Sequence, residues 1–68
     1  MNFQELLESA EIFVRNGFGD DFISAEHDMI FGPGISEKLE TMPAEDMARL
    51  EELGWSKDRE YDCMTTFV

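Results

Sequence analysis

Whatever fold this chain adopts must carry eleven uncompensated negative charges on a very small body. Sixteen Asp and Glu face five Lys and Arg within 68 residues. Compaction crowds like charges together, and their repulsion opposes it. Nucleic acid and acidic membranes are repelled for the same reason, so neither is expected as a direct partner. Basic surfaces are attracted, and a basic protein is the partner class the charge favours.

Sixty-eight residues make one domain at most, and residues 1–68 are read as a single acidic α+β domain. A domain of this size buries only about 60% of the surface its unfolded chain exposes. Charge alone favours disorder. Against that, the chain is 43% apolar, with six Phe, five Met and one Trp, and these residues are patterned. The sole cysteine, Cys63, leaves no intramolecular disulfide, which makes reducing cytoplasm the expected compartment. The start, MNFQELLESAE, lacks a basic segment followed by an apolar run, so no secretory signal is expected. No stretch approaches the roughly 20 apolar residues that span a bilayer.

Phe3, Leu6, Leu7, Ala10, Phe13 and Val14 recur at spacings of three and four, which predicts an amphipathic helix over 2–16. Asn2 and Glu5 have the spacing of a capping box, and Gly17 supplies a stop. Residues 22–25 and 28–31 are read as two hairpin strands turning near Glu26-His27-Asp28. Gly32-Pro33-Gly34 is expected to stop the second strand. A connection over 35–42 follows, with a helical turn from Ser36. A second helix is expected over 43–53, with Glu45 and Arg49 four residues apart and able to pair. Gly54 ends it, and Trp55 folds back over its last turn. Ser56-Lys57-Asp58-Arg59 is read as a polar link. Residues 60–67 alternate like a strand, with Tyr61, Cys63, Thr65 and Phe67 on one side. The resulting order is α-β-β-α-β. The expected fold is a three-stranded antiparallel sheet with two helices packed on one face.

Motifs for chemistry are sparse. Glu26, His27, Asp28 and Cys63 are residue types that hold zinc, so a metal site centred on His27 and Cys63 is the alternative reading. Their spacing lacks Cys-x-x-Cys or His-Glu-x-x-His, and the simpler account is a polar hairpin tip plus a small buried thiol. His27 has the right intrinsic pKa for acid–base work, with Cys63 or Ser24 as conceivable nucleophiles. No matching constellation is visible, and no enzyme activity is expected. Phe31-Gly32-Pro33-Gly34 lacks the lysine of a phosphate loop and reads as a chain reversal. Asp20, Asp21, Glu26 and Asp28 do not match calcium-loop spacing. No cofactor motif is present.

The acidic residues remain. Glu45, Asp46, Glu51, Glu52, Asp58, Glu60 and Asp62, with Trp55, are the candidate partner-binding residues. Trp55, Tyr61 and Phe67 are candidate anchors where exposed, since aromatics dominate interface hot spots. The plainer account is a solubilising surface. The sharper one is mimicry of nucleic-acid phosphates, because the net charge matches about five or six base pairs of duplex. In size and charge the chain resembles small phage or mobile-element proteins that inhibit host nucleases, and immunity or antitoxin proteins. That resemblance rests on no residue motif. It implies an inhibitor or modulator of a basic partner, such as a nuclease or DNA-binding protein. A structural homodimer joined at a sheet edge is a further alternative.

Overall fold

Asn2 starts the first helix as its spacing predicts. Its side-chain oxygen accepts the Glu5 N–H at 2.8 Å, and the Glu5 carboxylate accepts the Asn2 N–H at 2.8 Å. The computed structural model describes residues 1–68. Helix α1 runs Phe3–Phe13 and widens into one π-type turn, Val14–Phe18, that breaks where Gly17 sits at φ 90°. Helix α2 is the short Glu37–Glu40, capped by the Ser36 hydroxyl. Helix α3 runs Ala44–Glu52. Its end is a Schellman motif: Trp55 N–H reaches the Leu50 carbonyl at 2.9 Å, and Gly54 N–H reaches that of Glu51 at 3.0 Å. Gly54 takes φ 107°, a conformation in which side-chain-bearing residues are strained.

The sheet corrects the expected fold. It has four antiparallel strands, not three, and three α-helices accompany it, not two. Strands β1 (Ser24–Glu26), β2 (Met29–Gly34), β3 (Ser56–Asp58) and β4 (Cys63–Phe67) lie in the order β1-β2-β4-β3. The hairpin does turn at His27-Asp28, with Glu26 opposite Met29 and His27 at φ 56°. The unexpected strand is β3, formed by residues read as a polar link. As an edge strand it needs no apolar alternation, and charged edges resist pairing with other chains. Lys57 lies opposite Met64, and Ser56 opposite Thr65. The Asp58 carboxylate then accepts the N–H groups of Glu60 and Tyr61 at 3.0 and 3.3 Å, folding 59–62 into a turn. This takes residues 60–62 away from the predicted last strand.

Gly32-Pro33-Gly34 also departs from expectation, because β2 continues through it. The pairing of β2 with β4 shifts register between Phe31 and Gly34. Such an irregularity accommodates a proline, which has no N–H to donate. Gly32 lies under Trp55: a Cβ there would come within 3.0 Å of the indole.

Only 13 of the 68 residues are buried, so each buried side chain matters. Ile12, Phe13, Leu50, Leu53 and Trp55 pack against Ile30 and Met64 of the sheet, and Phe18 and Leu39 close the ends. Helix α1 is rotated relative to its predicted stripe. Ser9, Ile12 and Phe13 face inward, while Phe3, Leu7 and Val14 face solvent. The reason is Trp55. Its buried indole N–H donates to the Ser9 hydroxyl at 2.9 Å, and Ser9 donates in turn to the Glu5 carbonyl at 2.7 Å. An indole N–H deep in a core requires such a partner.

Replacing Ser9 by Ala removes that partner while leaving the helix intact. Ser9→Ala should destabilise the fold by about 1–3 kcal/mol, the usual cost of an unpaired buried polar group. Urea denaturation measures it. Loss of less than about 0.5 kcal/mol would show that water or another group takes the place of Ser9.

Candidate functional site

Five cations face sixteen acids, and four of the five contact another part of the fold while staying at its surface. Arg49 of α3 grips Glu8 of α1 with two hydrogen bonds, at 2.5 and 2.9 Å. Arg15 reaches Asp46 at 2.6 Å, and Asn16 donates to the same carboxylate at 2.9 Å. These contacts clamp α1 and its π-type turn against α3. Lys57 of β3 meets Glu40 of α2 at 2.8 Å. Lys38 donates to the Gly17 carbonyl at 2.7 Å and lies 4.5 Å from the centre of the Phe18 ring. The predicted Glu45–Arg49 pair does not form, because Arg49 turns toward Glu8, with Glu52 at 4.0 Å.

Hydrogen bonding to these cations holds the carboxyls of Glu8, Glu40 and Asp46 below the usual range. Arg49, Lys57 and Arg15 are the leading causes respectively. Among the remaining carboxylates, Glu11 and Glu45 lie near enough to Arg15, and Glu5 near enough to Arg49, to interact without forming an ion pair. Glu11, Asp20, Asp21, Glu37, Glu45 and Glu51 are exposed and belong to no ion pair.

The candidate binding residues fall into three groups. Glu45, Glu51 and Glu52 are exposed on α3, and Glu60 and Asp62 are exposed in the turn between β3 and β4. Asp46 and Asp58 are occupied within the fold, by Arg15 and by the turn backbone. Trp55 is a correction. It is only 4% exposed and belongs to the core, so it is not an exposed anchor on the acidic surface. Tyr61 and Phe67 are exposed, and Tyr61 stacks edge-on with Phe31 at 5.0 Å on the sheet face away from the helices.

His27 and Cys63 do not come together. His27 is at the hairpin tip beside the Phe67 end of β4, while Cys63 begins that strand. Four residues of strand separate the two ends, roughly 13 Å, far beyond the reach of one ion with zinc-like bonds near 2 Å. His27 is highly exposed and has only Glu26 nearby, at 3.5 Å. Burial pushes the Cys63 thiol upward, aided by Asp58 and Asp62. At neutral pH it stays protonated, which is the wrong state for a nucleophile.

Sequence reasoning missed an apolar hollow of about 230 Å³ between α1 and the segment entering β1. Leu6, Ala10 and Val14 line one wall, and Phe22 and Ile23 the other, above Phe13, Phe18 and Trp55. The signal was present: α1 carries more apolar residues than one buried face needs. Compared with protein-family models, curated proteins and solved structures, the chain gives no match.

Two solution properties follow. At pH 8, Cys63 should react with a thiol reagent more slowly than free cysteine, and denaturant should abolish the difference. A rate equal to that of the free amino acid would show an unburied thiol. A carboxyl depressed by folding contributes stability above its unfolded pKa and loses it as pH falls through the folded value. The Tm gap between wild type and Asp46→Asn should therefore be constant above about pH 5 and narrow below about pH 4. A gap that widened on acidification would show that the Arg15–Asp46 pair does not stabilise the fold.

Proposed function

We propose that the chain is a non-enzymatic acidic binding protein that docks on a basic protein partner and modulates it. The observation that carries this reading is the excess of sixteen acids over five cations, with four of those cations already engaged in contacts within the fold. A surface charge of this size is ordinarily softened by interspersed Lys and Arg. Here Arg15, Lys38, Arg49 and Lys57 join one element to another, and the outer carboxylates stay uncompensated. Arg59, in the turn between β3 and β4, is the one cation outside such a contact.

Such a body attracts cationic grooves over long range and speeds encounter. A nuclease or DNA-binding protein presents a groove of that kind, and carboxylates in it take the place of phosphates. The reading needs no catalytic group, in keeping with a protonated Cys63 and a solvent-facing His27. No helix is long and apolar enough to cross a membrane. We place the protein in reducing cytoplasm, where its single thiol needs no partner.

Salt decides between this reading and a merely solubilising surface. The tagged protein should capture a basic protein from lysate of its source cell at about 50 mM salt and shed it by about 200 mM, as counter-ion competition requires. Glu45→Lys, Glu51→Lys and Glu52→Lys together should weaken capture more than reversal at Glu37 alone. Asp46 is left intact because it holds Arg15. Salt-independent capture, or no capture at either concentration, would overturn the reading.

A further inference from the structure

A row of exposed apolar residues runs along α1 and into the start of its π-type turn. Phe3 is 89% exposed, Leu7 61% and Val14 60%, with Ala10 exposed between them. Their spacing of four, three and four is that of a helix-packing seam. This face continues into the hollow beside α1, whose far wall presents Phe22, 96% exposed, and Ile23. Leu6 lines both this hollow and a second one bounded by Phe3, Ile30 and Val68, which joins the two into a single apolar surface.

The rim has a sign. Asp21 lines the hollow, Asp20 precedes it in the chain and Glu11 borders the seam on α1, all exposed and none in an ion pair. The one cation nearby is Arg15, which is bonded to Asp46 and lies close enough to Glu11 to interact with it. An apolar floor with an acidic rim fits a ligand with an apolar stripe and basic flanks. It opposes a second copy of this chain, whose net charge of −11 and acidic rim would meet their like.

We propose that this surface, built from Phe3, Leu7, Ala10, Val14, Phe22 and Ile23, is the docking site for a basic amphipathic helix of the partner protein. The proposal rests on the reading above and names the contact that gives lasting affinity after electrostatic encounter. From Phe3 to Val14 the seam is about 16 Å long, three turns of helix, so it engages a partner helix of three to four turns. The helix lies in the hollow against α1, its Leu-type side chains on the apolar floor and its Lys or Arg toward Glu11, Asp20 and Asp21. This is the helix-in-groove mode of recognition.

The probe is a synthetic peptide of about 14 residues, without Trp, with Leu at heptad positions and Lys on the flanks. A second peptide has the same composition in scrambled order, and a third replaces Lys by Gln. Binding is read by calorimetry and by the emission of Trp55, the only tryptophan, which lines the hollow. The ordered Lys peptide should bind at least about tenfold tighter than the scrambled one, a difference of about 1.4 kcal/mol. Leu7→Gln with Val14→Gln should remove that advantage while leaving the weak, salt-sensitive binding of the scrambled peptide. Both positions face solvent, and circular dichroism checks that the variant is folded. Glu11→Gln with Asp20→Asn and Asp21→Asn should weaken the Lys peptide without affecting the Gln peptide.

Equal binding of the ordered and scrambled peptides would overturn the groove and leave the acidic-surface reading standing. Equal binding of the Lys and Gln peptides would overturn the basic character of the occupant. Concentration-dependent sedimentation abolished by Leu7→Gln with Val14→Gln would assign the face to a second copy instead. Failure of both Lys peptides to bind would overturn the groove and the acidic-surface reading together.

Discussion

The buried indole of Trp55 is the constraint from which the arrangement follows. With a core this small, the largest side chain fixes where everything else must go. Its ring packs edge-on against Phe13 of α1 at 5.0 Å, and its N–H reaches Ser9 on the same helix. Two contacts on one helix set both its position and its rotation. On the other side the ring closes on Gly32, where any side chain would intrude. Behind it, the left-handed Gly54 turns the chain out of α3 so that Trp55 can enter the core at all. Thr66 of β4 donates to the Gly54 carbonyl at 3.0 Å and fastens this reversal to the sheet. The indole thus joins α1 to β2, and the Gly54-Trp55 backbone joins α3 to β4.

Charge does the complementary work at the periphery. A core of nine apolar residues leaves the outer faces of the helices with little apolar contact. The cations supply the missing links: Arg49 and Arg15 between α1 and α3, Lys38 between α2 and the π-type turn, Lys57 between β3 and α2. Exposed pairs of this kind contribute little singly, because solvent screens them. Three of the four are paired with carboxylates and Lys38 with a backbone carbonyl, so most of the sixteen acids are left without an ion-pair partner.

Helices α1 and α3 were legible in the sequence because their signals are local, whereas α2 was expected only as a helical turn within a connection. Asn2 with Glu5, Ser36 before Leu39, and Gly54 followed by Trp55 each specify a helix end through contacts within a few residues. The two-residue turn at His27-Asp28 was legible for the same reason. What failed depended on distant partners. β3 is a strand only because β4 offers a ladder beside it, and Ser56-Lys57-Asp58 has no pattern of its own. Gly32-Pro33-Gly34 looks like a stop until Trp55 and the shifted register explain it. Ser9 looks like a solvent-facing residue until an indole 46 positions later needs its oxygen. The candidate site divides in the same way. The acidity is plain from composition, and so are Glu45, Glu51 and Glu52 on their helix. Which cations are withdrawn, and therefore which acids stand alone, is a property of the folded contacts.

The rotation of α1 connects these two themes. Because Ser9 must meet Trp55, the helix presents Ser9 and Ile12 inward, and a stripe with the spacing of a core face is turned to solvent. An exposed row of Phe, Leu and Val on a neutral protein invites self-association. On the proposed reading, the net charge of −11 opposes the approach of a second copy to this row. The acidic surface and the apolar seam then act together: the charge that would draw a basic partner would also disfavour covering the seam with another molecule of the same chain.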